Sequence, residues 1–201
     1  MPECTSGRVV PDIPLGAYQT AWFFGGYMTL AFDSVWTPVE DSAGEFKVRP
    51  EGDDEYGVSF SLDNYPVRDG KKVADVPRTV AGWVRWHERD PRLIVSEPRT
   101  ARIGPLRATA FDVRLSRKAG KEDPGCPAAC ADLWGNDKFD HANGILGDDV
   151  YRLYLADVRY SGSPHLLIVN VEGRDAAHLA RFAPQVEHLL KGVTLPVAHG
   201  G

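Results

Sequence analysis

GDDVYRLYLADVRYSGSPHLLIVNVEGRDAAHLARFAPQVEHLLKGVTLP, residues 147–196, decides the fold of this chain. From Val150 to Tyr160 two rows of side chains alternate, with Tyr151, Leu153 and Leu155 on one side and Arg152, Tyr154 and Ala156 on the other, which is strand periodicity. Ser161-Gly162-Ser163-Pro164 is a turn, and Leu166-Leu167-Ile168-Val169 is an unbroken apolar run. Such a run predicts a strand covered on both faces. Asp175 to Lys191 then places Leu179, Phe182, Val186, Leu189 and Leu190 at helical spacing. Pro184 inside that helix deletes the hydrogen bond to the carbonyl of Ala180 and predicts a kink or restart, and Gly192 suits the position just past the end. Strand, turn, strand, helix is a scaffold, and it fixes no chemistry.

Length bounds the rest: 201 residues make one ordinary domain with frayed ends. Apolar residues at 43% and charged residues at 25% exclude a disordered chain, and a net charge of -5 excludes a nucleic-acid backbone as partner. No apolar run approaches the roughly 18 residues of a membrane span. Met1-Pro2-Glu3 lacks the basic start of a signal peptide, so the chain reads either as cytosolic or as a mature fragment from which an export signal was removed.

Outward from residues 147–196, the pattern is mostly strands. Residues 1–16 are a tail without periodicity, 17–196 the domain, and 197–201 a second tail. Tyr18 to Phe24 and Tyr27 to Phe32 are β-rich runs around Gly25-Gly26, which predicts a hairpin with a two-residue turn. Glu45 to Arg49 alternates, and so does Tyr56 to Leu62, with Val58, Phe60 and Leu62 inward and Ser59 and Ser61 outward. A short helix follows, with Asp75 as N-cap, Pro77 in its first turn, and Val80, Trp83, Val84 and His87 as its stripe. His87-Glu88-Arg89 closes it, where an imidazolium suits the negative helix end. Leu93 to Val95, Thr100 to Ile103 and Leu106 to Leu115 are further strands. In the last of these Thr109, Phe111, Val113 and Leu115 form the buried face. Residues 116–149 show no clear period and read as a long decorated loop. The fold class is therefore α+β: a mainly antiparallel sheet with two principal helices packed on it.

Searches for chemistry return little. There is no phosphate-binding glycine loop, dinucleotide fingerprint, nucleophile elbow or paired-histidine zinc helix. Asp137, Asp140 and His141 are the metal candidates, a cluster of oxygen and imidazole donors that fits no calcium loop; a solvated loop is the plain alternative. Cys126 and Cys130, in a Pro- and Gly-rich loop, read as a small disulfide or as two buried thiols. Cys4 is a tail cysteine without a lipidation motif before it. Trp22, Phe24, Tyr27, Trp83, Trp86 and Trp134 are aromatics that line an apolar ligand pocket if the sheet and first helix splay, and are core otherwise. No cofactor is expected.

Read together, Asp33-Ser34-Val35-Trp36-Thr37, Glu45-Phe46, Trp83-Val84-Arg85-Trp86-His87-Glu88-Arg89-Asp90-Pro91, Ile103-Gly104-Pro105-Leu106, Phe111-Asp112-Val113-Arg114, the Cys126/Cys130 loop and Phe182-Ala183-Pro184 resemble an actinobacterial family of small exported domains, often lipoproteins, with a PsbP-like or LpqN-like sandwich. That resemblance spans Tyr18 to Leu195. It implies a PsbP-like fold and an extracytoplasmic, cell-envelope setting, with membrane anchoring only through a lipidated N-terminus. Two functions follow as expectations. One is a non-catalytic binding or accessory domain for a small apolar ligand, a glycolipid or an envelope protein. The other is a small-molecule enzyme with an acid/base site in the 132–149 region.

Overall fold

The computed structural model describes residues 16–32, 36–52, 57–120, 126, 128–136 and 139–195. The elements are β1 Gly16–Gln19, β2 Thr29–Phe32, β3 Trp36–Asp41, β4 Glu45–Pro50, β5 Val58–Leu62, β6 Tyr65–Arg68, β7 Lys71–Lys72, α1 Val80–Arg89, β8 Leu93–Val95, β9 Arg99–Ile103, β10 Leu106–Leu115, β11 Cys130–Asn136, β12 Phe139–Leu146, β13 Val150–Tyr160, β14 Ser163–Gly173 and α2 Ala176–Lys191. The fold is α+β, with antiparallel pairing throughout the described sheets. The large sheet runs β3-β4-β5-β14-β13-β10-β8, and β9 shares the β10 edge with β8. A second sheet, β12-β11-β6-β7, lies against one of its faces.

The centre is the β13–β14 hairpin, paired without interruption from Val150–Gly173 to Tyr160–Ser163. Its turn is Ser161-Gly162, both with positive φ (50° and 79°). A two-residue loop of this hand matches the twist of the strands it joins. β14 is covered on both sides, as its apolar run requires. Leu167, Val169 and Val171 pack under α2 with Phe60 and Phe182, while Leu166 and Ile168 face Leu133, Trp134 and Trp83. α2 starts at Asp175, whose carboxylate accepts the amide of His178 at 2.7 Å. It runs on through Pro184, which sits exposed on its outer side. Gly192 ends it at φ -81°, not in the left-handed region; a Cβ there would lie 2.9 Å from the Ala31 methyl, so closeness to β2 is what glycine provides.

Several expectations are corrected. The first hairpin exists, but β1 and β2 pair only from Gly16–Phe32 to Gln19–Thr29, and residues 20–28 between them form a long connection with a 3-10 turn at Phe23–Gly26. Burial of Phe23, Phe24 and Met28 outweighs the Gly-Gly turn. Helix α1 begins four residues late, capped by Thr79, whose Oγ1 accepts the Gly82 amide at 3.2 Å. The Asp75–Pro77 segment instead folds back against the helix, where the Pro77 carbonyl meets Gly82. Ser59 and Ser61 are buried with the rest of β5, and Ala108 and Ala110 of β10 are buried opposite Phe111 and Val113. The second layer on each face covers rows that alternation alone assigns to solvent.

The largest correction falls on residues 116–149, which hold the β11–β12 hairpin. Bulges between Asp132 and Trp134 and between Gly135 and Asn136 break the two-residue period, so no alternation reaches the sequence. Leu133, Trp134 and Ile145 pack from it onto Tyr151, Leu153 and Leu155. Residues 1–15, with Cys4, and the C-terminal segment from residue 196 onward lie outside the described residues.

Candidate functional site

The connection between β1 and β2 is locked by one carboxylate. Asp41, at the end of β3, accepts the amides of Ala21 (2.6 Å), Trp22 (3.1 Å) and Phe23 (3.2 Å) and the hydroxyl of Tyr18 (3.0 Å). Burial, then the charge and hydrogen bond of Asp41, push the Tyr18 phenol up to about 12. Three successive amides on one anion fix the backbone much as a helix N-cap does. Phe24 takes φ 52°, a left-handed conformation that a bulky residue adopts only under constraint, and its ring sits edge-on to Tyr160 at 5.3 Å. The result is an anchor and a display: Phe23 and Phe24 are buried, while Trp22 (64%) and Tyr27 (63%) stand out in solvent.

The six aromatic candidates therefore do not converge. Phe24 belongs to the core under α2, Trp83 and Trp134 to the core on the opposite face of the large sheet, and Trp22 and Tyr27 to the surface. Trp86 is buried beneath Arg68, whose guanidinium lies 5.7 Å from the ring centroid. Of the metal candidates, Asp137 lies outside the described residues, and Asp140 and His141 fall on β12 with side chains likewise outside them. Among the described residues no three His, Cys, Asp or Glu side chains gather around a common point. Cys126 and Cys130 are joined by a disulfide.

Sequence reasoning missed a polar cluster on the large sheet. Lys47 and Glu172 form an ion pair at 3.0 Å, with buried Ser59 and Asn170 between them on the paired strands β5 and β14. Asn170 donates weakly to Glu172 (3.4 Å), and its own buried Oδ1 has no partner. Asn136 donates to Asn64 (3.0 Å) and to the Leu62 carbonyl (3.2 Å), and Asn64 donates to Ser61 (2.7 Å), tying the two sheets together. Glu45 sits beside this cluster. Burial, then the negative charge of Glu40, push its carboxyl up to about 7 despite Lys47. The only sign of this cluster in the sequence is Ser59, Ser61 and Asn170 inside otherwise apolar strands.

His87 is corrected too. It is fully buried, its Nδ1 donates to the Trp83 carbonyl at 2.9 Å, and burial lowers its pKa to about 4, so the ring is neutral and supplies no positive charge to the helix end. His87 and Glu45 pull stability in opposite directions. The unfolded chain takes up a proton at His87 before the folded one, so stability is lost as pH falls from 6.5 toward about 4. At Glu45 the folded chain takes up the proton first, so stability is lost as pH rises from 4.5 toward about 7. Between those limits the two slopes cancel. Glu45→Gln is expected to be more stable than the parent by about 2 kcal/mol at pH 8, after discounting for partial exposure, and indistinguishable at pH 4. Its urea midpoint then falls steadily below pH 6.5 where the parent's stays level; parallel profiles in the two proteins would refute the assignment.

On the α2 face, Arg152 grips Asp112 with two bonds (2.7 and 2.9 Å) beside a groove of about 290 Å³ lined by Arg99, Tyr154, Glu187 and Lys191. These groups largely neutralise one another.

Residues 112–189 match the family model described as phosphoglucomutase/phosphomannomutase, C-terminal domain, which is less than half of the chain. Comparison with curated proteins gives no match. Solved structures similar to this chain include a protein of Bacteroides thetaiotaomicron (TM-score 0.49, 8% identity, 94% of this chain and 51% of that one). Another is LpqN of Mycobacterium tuberculosis, described as involved in cell envelope biogenesis (TM-score 0.48, 10% identity, 84% and 83%). A third is the cyanobacterial PsbP of Synechocystis (TM-score 0.46, 9% identity, 95% and 99%). The chain spans about half the length of the Bacteroides protein.

Proposed function

We propose that this chain is a non-catalytic, extracytoplasmic accessory domain that engages a glycolipid, another small apolar ligand or an envelope protein through the loop carrying Trp22 and Tyr27. The observation that carries this reading is the Asp41 clamp. Two large aromatics are held out in solvent by a backbone that is already ordered, so little conformational entropy is lost on binding. Trp and Tyr combine a broad apolar face with a polar edge, the composition favoured where one side of a contact is apolar and the other wet. The Cys126–Cys130 disulfide supports an oxidising compartment.

Of the five tryptophans, Trp22 alone is exposed, so it is its own reporter. Mixing the protein with vesicles that contain a glycolipid is expected to shift Trp emission to the blue. Trp22→Ala/Tyr27→Ala should abolish binding while leaving the melting temperature within a degree or two, because neither side chain is packed. Equal retention of parent and double variant on the vesicles, or no retention of either, rejects the reading for glycolipids; the same pair of proteins passed over immobilised envelope proteins tests it for the protein partner.

A second reading is an enzyme whose acid/base group is Glu45 on β4, a different site from the 132–149 region expected from the sequence. Glu45, with its carboxyl near neutrality beside Glu172, has the acidity of a general acid/base. Turnover of a sugar or ester substrate that is lost in Glu45→Gln would establish it, and turnover unaffected by that change would remove it.

A further inference from the structure

A groove of about 310 Å³ runs between α1 and the 73–77 segment that folds back against it, and its charge is opposite to that of the chain. On a protein of net charge -5, three guanidinium groups, Arg68, Arg85 and Arg89, line it against the single carboxylate of Asp75. The other nearby acid, Asp90, is already engaged: its buried carboxylate accepts from Arg92 at 2.6 and 2.9 Å and from one terminal nitrogen of Arg68 at 3.2 Å. Arg85 and Arg89 are exposed, stand four apart on α1 and make no ion pair among the described residues. Like charges at that spacing repel by a few tenths of a kcal/mol unless an anion lies between them. Placement of Arg89 in the last turn is explained by the helix dipole, but Arg85 is mid-helix and gains nothing from it.

Arg68 adds a second, separate observation. It is held in place by Asp90 on one side and by the Trp86 ring beneath it, yet its Nε–H is buried and donates to nothing. The rest of this guanidinium is part exposed on the groove, and, fixed opposite Arg85 and Arg89, it offers N–H donors to a phosphate or carboxylate oxygen pair. Trp86 and Val76 supply an apolar wall beside it. The volume is at the lower end of small-molecule sites.

We infer that this groove binds a phosphate monoester, with the phosphate held by Arg68, Arg85 and Arg89 and a small organic part lying toward Val76. The inference is independent of the Trp22 loop. Its test is titration of the full chain, by calorimetry or by amide shifts of α1, with inorganic phosphate, glycerol 3-phosphate and vesicles carrying phosphatidic acid. Glycerol 3-phosphate is expected to bind at least tenfold more tightly than inorganic phosphate, weakening as salt rises. Arg85→Gln and Arg89→Gln, both at exposed positions, should each weaken it about tenfold without moving the melting temperature. Arg68→Lys, which keeps the charge but not the fork, should weaken it as well. Vesicle binding displaced by soluble glycerol 3-phosphate identifies a lipid headgroup as the source; vesicle indifference with tight soluble binding identifies a free ester. No saturable binding of any probe, or binding unchanged in all three variants, overturns the proposal.

Discussion

Gly104→Ala is expected to lower stability by about 4 kcal/mol or more, the largest effect of a single added methyl among the described glycines. Gly104 sits in the β9–β10 turn at φ 52°, and its amide donates to the Leu190 carbonyl at 2.7 Å. An added Cβ would lie 1.9 Å from the Val193 carbonyl oxygen, which is backbone and has no rotamer to give. Contact distance is restored only by moving the end of α2 away from the turn by more than an ångström. That motion breaks the bond to Leu190 and opens the packing of Val193 and Ile103 in the core. Strain alone does not account for the magnitude, because a left-handed residue other than glycine costs about 1–2 kcal/mol. Gly162 separates the two terms: it has φ 79° and open space where a Cβ would go. Gly162→Ala should therefore cost only about 1 kcal/mol, and parallel thermal melts should place Gly104→Ala roughly 10 °C below it. Equal melting temperatures for the two variants would falsify the steric account.

Asp90→Ala is expected to cost about 3–5 kcal/mol. Its side chain is fully buried at the end of α1, and its carboxylate receives the amide and the guanidinium of Arg92 together with Arg68. Burial by itself would push this carboxyl up; the bonds from Arg92 and the charges of Arg92 and Arg68 outweigh burial and hold it below the ordinary carboxylate range. Truncation removes the anion that faces a guanidinium only 16% exposed. It also unties the link between β6, through Arg68, and the α1–β8 corner. The sign with pH follows from the lowered value. The contribution is complete above the unfolded carboxyl's pKa, near 4, and is lost as pH falls below it. Urea unfolding at pH 7 should show the full deficit, and the gap between parent and variant should narrow toward pH 3. Arg92→Ala in the Asp90→Ala background should cost much less than it does alone, since the pair acts as a unit. Additive losses would show that the two residues stabilise the corner separately.

Gly104 meets Val193 and Asp90 meets Arg68 only through the tertiary fold, and contacts of this kind are not legible in the sequence. The β13–β14–α2 unit was legible because its signals are local: an alternating run, a turn and a 3.6-residue stripe each report which side of one element is apolar. β4, β5, β8, β9 and β10 were legible for the same reason. The β11–β12 hairpin was not, because two bulges shift its inward rows partway along and erase the period. Ser59 and Ser61 read as solvent-facing until a second layer covers them. His87, read as a charged cap, is neutral because α1 turns that side toward Phe111 of β10, where the ring is fully buried.

The sequence by itself determined the α+β class, the position of most strands and both helices, and the absence of any recognised catalytic motif, because these depend on hydrophobic period and spacing within a few residues. Only the tertiary structure decided which aromatics are core and which are displayed, since the answer lies in Asp41 reaching back to residues 21–23. It alone brought Arg68 of β6 to Arg85 and Arg89 of α1 around one groove. Such meetings are fixed by strand register and layer packing, which sum small terms over the whole chain, and no local pattern encodes them.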